Sequence, residues 1–219
     1  MKYILLFNLI LLSCQVNSEK KHERDTPSTV TAAAYAKAIK STDSLKAKCR
    51  LMYWKDAGQC FSTFIENRLL PAWYGTVWDF NGTTQVPGEG KIACGYFVTT
   101  VLRDAGVDLH RVKMAQCASE MMINHLTQDK EYYNRISFAD FIRKVKSHGP
   151  GLSVIGLDNH TGFLLYDGEE LYFIHASYIG TGKVAKDIAE ENIILKQSAY
   201  KVVGYLSQSE GFVRRWMGE

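Results

Sequence analysis

The chain has 219 residues, of which 46% are hydrophobic, and its formal net charge at pH 7 is +3. This length and apolar content are sufficient for one domain with a sizeable core. No dense Lys/Arg stripe interleaved with aromatic residues occurs, which argues against nucleic-acid binding. The sequence also lacks Cys-x-x-Cys and His-Glu-x-x-His spacings and any glycine-rich phosphate loop, so we expect neither a metal nor another cofactor.

The first residues have the pattern of an export signal. A mostly apolar run of about ten positions follows Lys2, half of the roughly twenty residues that a membrane-spanning helix needs. Leu11-Leu12-Ser13-Cys14 then resembles a bacterial lipobox, in which the cysteine is lipidated and becomes the mature N-terminus. Cleavage after Ser18, which would release a soluble secreted protein, is the alternative. We predict a signal peptide over residues 1–14, lipidation of Cys14, and a lipoprotein anchored to the membrane of the bacterial cell envelope, periplasmic or at the cell surface.

The rest of the chain divides into a tether and one domain. Residues 15–30 are polar and charged, which predicts a disordered tether, and residues 31–219 are predicted to fold. Helical periodicity continues with breaks from Ala32 to about Leu70, and Pro71 is expected to end it.

Further helices are predicted over 94–105, 111–126 and 138–146, the last capped by Ser137. Predicted strands follow at 152–157, 160–166, 170–176, 182–188 and 200–206. Helices followed by antiparallel strands predict an α+β domain in which N-terminal helices pack on a small antiparallel sheet.

Cys94 opens a helical run that follows a turn-rich loop and ends at Gly106. A helix N-terminus carries positive partial charge and unpaired N–H groups, both of which stabilise a thiolate. We therefore predict that the pKa of Cys94 lies below that of a free thiol and that Cys94 is a nucleophile. Burial for packing alone is the other interpretation of a single cysteine.

Two histidines lie in a predicted hairpin further along the chain. Asp167-Gly168 is a strong signal for a two-residue turn between strands. That turn would pair Tyr166 with Glu169 and would place His160 directly opposite His175. A turn centred on Gly168-Glu169 would instead place Ser177 opposite His160.

These placements together predict a catalytic triad. Cys94 is the nucleophile, His160 the general base, and His175 orients the ring of His160. Asp158 and Asn159, which precede the base, are alternative orienting residues, although both also suit a turn.

In order and context these residues resemble the NlpC-type papain-like cysteine peptidases, which trim bacterial peptidoglycan. The similar segments are His160-Thr-Gly-Phe-Leu-Leu-Tyr166, Phe173-Ile-His-Ala-Ser177 and Gly75-Thr76-Val-Trp78-Asp-Phe-Asn-Gly82. The resemblance covers about residues 74 to 180, and residues 31 to 70 have no counterpart in it. It implies a papain-like fold and a cysteine peptidase or amidase that cleaves an amide bond in peptidoglycan stem peptides. We expect a monomer.

The resemblance also implies roles for residues near the nucleophile, and it has departures. Trp78 stands where the family has Tyr, and its indole N–H is a candidate oxyanion donor. Tyr96 is a candidate cleft residue, with ordinary packing as the alternative. Ala93-Cys94-Gly95 replaces the family's Asp-Cys-Ser, and that acidic residue is associated with recognising the stem peptide. Two other functions are therefore kept open, a catalytically inactive protein that binds wall peptides and a thioester-forming acyltransferase.

Overall fold

The computed structural model describes residues 30–219. The predicted signal peptide, the lipidation site Cys14 and all but the last residue of the predicted tether lie outside the described residues. Within residues 30–219, no helix is both long enough and apolar enough to cross a membrane.

The described residues form an α+β structure, as the order of predicted elements indicated. The helices are α1 (Ala32–Lys40), α2 (Thr42–Cys49), α3 (Trp54–Phe64), α4 (Leu70–Trp73), α5 (Cys94–Asp104), α6 (Arg111–Gln116), α7 (Ser119–Leu126), α8 (Phe138–Ser147), α9 (Ile193–Gln197) and α10 (Glu210–Met217). The strands are β1 (Val77–Trp78), β2 (Lys91–Ile92), β3 (Lys130–Tyr132), β4 (Gly151–Leu157), β5 (Thr161–Tyr166), β6 (Leu171–Ala176), β7 (Val184–Ile188) and β8 (Lys201–Tyr205).

Six strands form one antiparallel sheet in the order β3-β8-β4-β5-β6-β7. Strands β4 to β7 form a meander, and β8 returns to pair with the free side of β4. The short strands β1 and β2 form a separate parallel pair. This pair holds the loop before α5 beside β7, because Val77 bridges to Lys183 and the N–H of Trp78 donates to Gly182 O.

Both faces of the large sheet are covered. Phe97 of α5 and Phe163 of β5 belong to one core, which also includes residues of α3, α7 and α10. Phe141 of α8 and Leu164 of β5 belong to a second core on the opposite face. Neighbouring residues of β5 thus enter different cores, because successive side chains of a strand point to opposite faces. The first core holds α5 against β5 and β6, and this packing positions Cys94.

Pro71 does not end the N-terminal helical segment, contrary to the prediction. A π-helical turn over Ile65–Leu69 follows α3, and the N–H of Leu70 donates to Ile65 O. Pro71 then lies in the first turn of α4, where its missing N–H needs no helical acceptor. Helical backbone therefore continues to Trp73.

The β5–β6 hairpin does not have the register of a turn at Asp167-Gly168; it has that of the alternative turn at Gly168-Glu169. Tyr166 pairs with Leu171, so each β5 residue faces a β6 residue two positions later than predicted. The cause is the side chain of Asp167, whose Oδ1 accepts the N–H groups of Glu169 and Glu170 at 2.8 and 2.7 Å. The N–H of Asp167 also donates to Glu170 O at 3.2 Å, so the turn is centred on Gly168 and Glu169.

Candidate active site

Cys94 is the first residue of α5, and its thiol is free and partly buried. Burial raises the pKa of this thiol above its ordinary value, and the backbone N–H groups of Thr161, Gly95 and Cys94 itself offset that effect only in part. The predicted lowering of the Cys94 pKa was therefore wrong. The helix start does favour the thiolate, but removing the sulfur from water costs more than these dipoles return.

His160 and His175 meet although they are not directly opposite. His160 Nε2 lies 2.8 Å from His175 Nδ1, and the two ring centroids are 5.0 Å apart. In the observed register Gly162 faces His175, and His160 lies two residues before Gly162. A shift of two residues keeps both rings on the same face, so they make a diagonal contact instead of a direct one.

Gly162 leaves the space that this diagonal contact requires. A Cβ at position 162 would lie 2.9 Å from His175 Cβ and 2.8 Å from Ile174 O. Real Cβ atoms essentially never come within 3.0 Å of another heavy atom, so a larger residue at position 162 would displace β6 or the His175 ring. The absence of a side chain at Gly162 thus allows the two imidazoles to touch.

A chain of hydrogen bonds determines which ring nitrogen of His160 is free. His175 Nε2–H donates to Asp187 Oδ2 at 3.1 Å, which leaves Nδ1 of a neutral His175 as an acceptor. His160 Nε2–H donates to that acceptor, so Nδ1 of a neutral His160 carries the lone pair. Among the described residues, this Nδ1 is the only buried side-chain nitrogen or oxygen without a hydrogen-bond partner.

Burial, and secondarily the proximity of His175, lower the pKa of His160 from 6.5 to about 3. His160 is 4% exposed, and its ring packs edge-on against Phe173 and Tyr178 at centroid distances of 6.0 and 5.1 Å. The ring is therefore neutral at pH 7. The raised pKa of the Cys94 thiol and the lowered pKa of the His160 imidazole each favour the neutral form of that group.

Asp187 and Asn192 extend the hydrogen-bond chain, and the sequence analysis missed both. Asn192 Nδ2 donates to Asp187 Oδ2 at 2.8 Å, while Asn192 Oδ1 caps α9 by accepting the N–H groups of Ile194 and Leu195. Asp187 is thus held by the start of a helix. An asparagine before an apolar run is a recognisable N-cap signal, but only the β6–β7 pairing brings Asp187 beside His175.

A cavity of about 390 Å³ has both Cys94 and His160 among its lining residues. It is lined by Cys94, Gly95, Met114, Ala115, Cys117, Ala118, Ser119, Glu120, Met122, Leu157, Asp158, Asn159, His160, Thr161 and Tyr200. One wall comes from the α6–α7 segment, which approaches α5 closely: a Cβ on Gly95 would lie 2.4 Å from Ala115 O. The close approach of Ala115 to α5 therefore leaves no room for a side chain at position 95.

Two carboxylates, Glu120 and Asp158, are the charged side chains among the residues that line the cavity. Glu120 accepts hydrogen bonds from the hydroxyls of Tyr132 and Tyr200, and both bonds lower its pKa. A hydrogen bond from Ser198 is the main cause of the lowered pKa of Asp158. Both carboxylates are ionised at neutral pH, so the cavity favours positive charge.

Of the other candidate residues, Asp158 and Asn159 line this cavity, whereas Trp78 and Tyr96 do not. Asp158 binds the backbone N–H groups of Ala199 and Tyr200, so it holds a loop, whereas His175 contacts His160 directly.

Trp78 is linked to the site through one neighbour. Its ring packs against Tyr178 at 5.9 Å, and Tyr178 in turn contacts His160. Tyr96 points to α6, where Gln116 Nε2 donates to its hydroxyl and the Arg111 guanidinium lies 4.7 Å from its ring centroid. An oxyanion role for Trp78 and a cleft role for Tyr96 stay predictions.

No group of three or more His, Cys, Asp or Glu side chains arranged to hold a metal ion occurs among residues 30–219. Comparison with known proteins gave no match: no family model matches the chain, and neither a curated protein nor a solved structure is significantly similar to it.

Proposed function

We propose that this protein is a cysteine hydrolase that cleaves an amide bond in peptidoglycan stem peptides from a lipid-anchored position in the bacterial envelope. The observation that carries the proposal is that Cys94 and His160 both line one cavity, and that the buried Nδ1 of His160 has no hydrogen-bond partner. Leaving a buried nitrogen unsatisfied costs about 1–3 kcal/mol, a cost that a purely structural histidine has no reason to retain.

In the proposed mechanism, His160 Nδ1 takes the proton of the Cys94 thiol as the sulfur attacks the carbonyl carbon. The N–H groups in the first turn of α5 stabilise the oxyanion, since Ala93 provides no side-chain cap for them. The carbon–nitrogen bond then breaks, His160 protonates the leaving amine, and a thioester remains on Cys94. Water attacks the thioester while giving a proton to His160, and the released thiolate recovers that proton.

The peptide substrate is supported by the charge of the cavity. Glu120 and Asp158 line it as ionised carboxylates, and no lysine or arginine lines it. Stem peptides carry free ammonium groups, and such a group near the scissile bond would be attracted to this cavity.

The test compares two cysteines that line the same cavity. Purified peptidoglycan is digested with the full chain, with Cys94→Ala and with Cys117→Ala, and the fragments are identified by mass spectrometry. We expect new amine and carboxyl ends within stem peptides for the unmodified chain and for Cys117→Ala, and none for Cys94→Ala. Full hydrolysis by Cys94→Ala would refute the proposal.

A further inference from the structure

A large groove lies on the N-terminal helices, in the part of the chain to which the proposed function assigns no role. It has a volume of about 1120 Å³ and shares no lining residue with the catalytic cavity. It is lined by Ala34, Lys37, Ala38, Ser41, Ser44, Leu45, Lys48, Gln59, Cys60, Thr63, Phe64, Asn67 and Arg68, which belong to α1, α2, α3, the turn between α1 and α2, and the π-helical turn.

All charged side chains that line this groove are cations. Lys37, Lys48 and Arg68 are exposed, and no carboxylate accompanies them in the lining. The side chains of these three residues form no ion pair or hydrogen bond with any other residue in the range 30–219. By contrast, the cations Lys46 and Arg50 on the same segment are bound to the carbonyl groups of Gly106 and Met217.

Neutral hydrogen-bond donors lie between the cations. Ser44, Thr63 and Asn67 are exposed and have no side-chain partner within the described part of the chain. Hydroxyl and amide N–H groups interspersed with ammonium and guanidinium groups are a donor set that suits anionic oxygens.

We propose that this groove binds a linear anion that carries several phosphate groups. Its volume exceeds the roughly 300–1,000 Å³ of small-molecule sites, so it suits a segment of a chain more than one free phosphate. The guanidinium of Arg68 offers a planar fork to phosphate oxygens, and the two lysines add point charges. Phe64 is the one aromatic ring in the lining and is 9% exposed, so nucleobases find no stacking surface and the phosphates belong to a polymer without bases.

The test uses the full chain and a soluble glycerol phosphate polymer as the probe, with binding measured by calorimetry at several salt concentrations. The groove variant combines Lys37→Gln, Lys48→Gln and Arg68→Gln. The control variant combines Lys113→Gln, Lys144→Gln and Lys196→Gln, which are exposed, lie on α6, α8 and α9, and change the net charge equally.

We expect the groove variant to bind the polymer at least about tenfold more weakly than the unmodified chain. The slope of log K plotted against the logarithm of the salt concentration should also become shallower by about one for each phosphate contact that is lost. The control variant should keep the parent affinity. Equal weakening in both variants would mean that net charge alone attracts the polymer and would overturn the proposal.

Two further measurements distinguish a soluble polymer from a lipid surface, and polymer binding from the proposed hydrolase activity. Phosphatidylglycerol vesicles carry the same phosphate chemistry on a lipid, and groove-dependent binding to vesicles without binding to the polymer would overturn the assignment to a soluble chain. Cys94→Ala should bind the polymer like the unmodified chain, because the groove and the catalytic cavity share no residue. Failure of the hydrolase proposal would therefore leave this result unaffected.

Discussion

The free nitrogen of His160 depends on one carboxylate two hydrogen bonds away. Asp187 accepts from His175 Nε2–H, and this direction is what leaves His160 Nδ1 without a proton. A change at Asp187 that preserves shape but reverses the hydrogen bond should therefore move the proton of His160 onto Nδ1, although Asp187 does not contact that ring.

We predict that Asp187→Asn lowers kcat by at least roughly 100-fold, within the range that general-base catalysis contributes. The Asn amide can donate to His175 Nε2, which moves the proton of His175 to Nδ1 and that of His160 to its Nδ1. Stem-peptide hydrolysis measures the effect, with Asp140→Asn, an exposed carboxylate on α8, as the matched control. An unchanged kcat in Asp187→Asn would show that Asp187 does not set the tautomer.

A second prediction at the scale of one residue concerns how fast the Cys94 thiol is alkylated at different pH values. Because burial raises the pKa of Cys94, iodoacetamide should modify it slowly at pH 7 and faster as the pH rises past the value of about 8.5 for a free thiol. Mass spectrometry of the Cys94 peptide measures the rate, with the Cys117 peptide as an internal comparison. A rate that already levels off below pH 7 would instead indicate a thiolate paired with a charged imidazole.

Among the secondary-structure elements, the β5–β6 hairpin shows how a wrong register can still lead to a correct contact. The Asp167 side chain moved the pairing by two residues, and an even shift leaves every side chain on its original face. His160 and His175 consequently remained within reach of each other. A shift of one residue would have placed them on opposite faces of the sheet.

We predict that Gly162→Ala reduces activity far more than stability. The added methyl group would lie 2.7 Å from Phe173 Cε2, 2.8 Å from Ile174 O and 2.9 Å from His175 Cβ, so β6 must shift where it carries His175. Overpacking of this kind costs about 1–3 kcal/mol in the free energy of unfolding, measured by urea denaturation. Gly211→Ala on α10 is the control, since an added Cβ meets nothing within 4 Å there. Normal kcat in Gly162→Ala would show that the histidine contact does not need this space.

For the whole molecule, the buried neutral His160 makes the free energy of unfolding depend on pH. The pKa of His160 is about 3 in the folded protein and has its ordinary value of 6.5 in the unfolded chain. Between pH 3 and pH 6.5 the unfolded chain therefore binds a proton at this residue that the native state does not bind. Stability from this residue is present above pH 6.5 and is lost as the pH falls towards 3, by up to about 1.4 kcal/mol per pH unit.

We predict that His160→Gln flattens this dependence. Urea denaturation between pH 7 and pH 4 gives the free energy of unfolding of both proteins, which should fall more steeply with decreasing pH for the unmodified chain than for the variant. The exposed residue His110 provides the control, because His110→Gln removes an imidazole without removing a buried one. Parallel curves for the unmodified chain and His160→Gln would contradict the neutral burial of His160.

Periodicity and turn signals were sufficient for the α+β class, for the helix that begins at Cys94, and for the five strands from β4 to β8, whose ends agree with the prediction to within two residues. Such features depend on residues close in the chain, where side-chain direction follows directly from backbone geometry. The short strands β1, β2 and β3 and the helices α9 and α10 were not predicted, because their apolar patterns are too short to be distinguished from loops.

Tertiary structure decided the protonation chemistry. Local sequence shows that a helix start lowers a thiol pKa, yet the depth of burial around Cys94 is a sum over packed neighbours from distant segments and reverses the sign. Asp187 and Asn192 complete the hydrogen-bond chain only because β7 pairs with β6 and α9 follows it. Contacts between residues far apart in the chain depend on sheet pairing and core packing, and no local pattern encodes either.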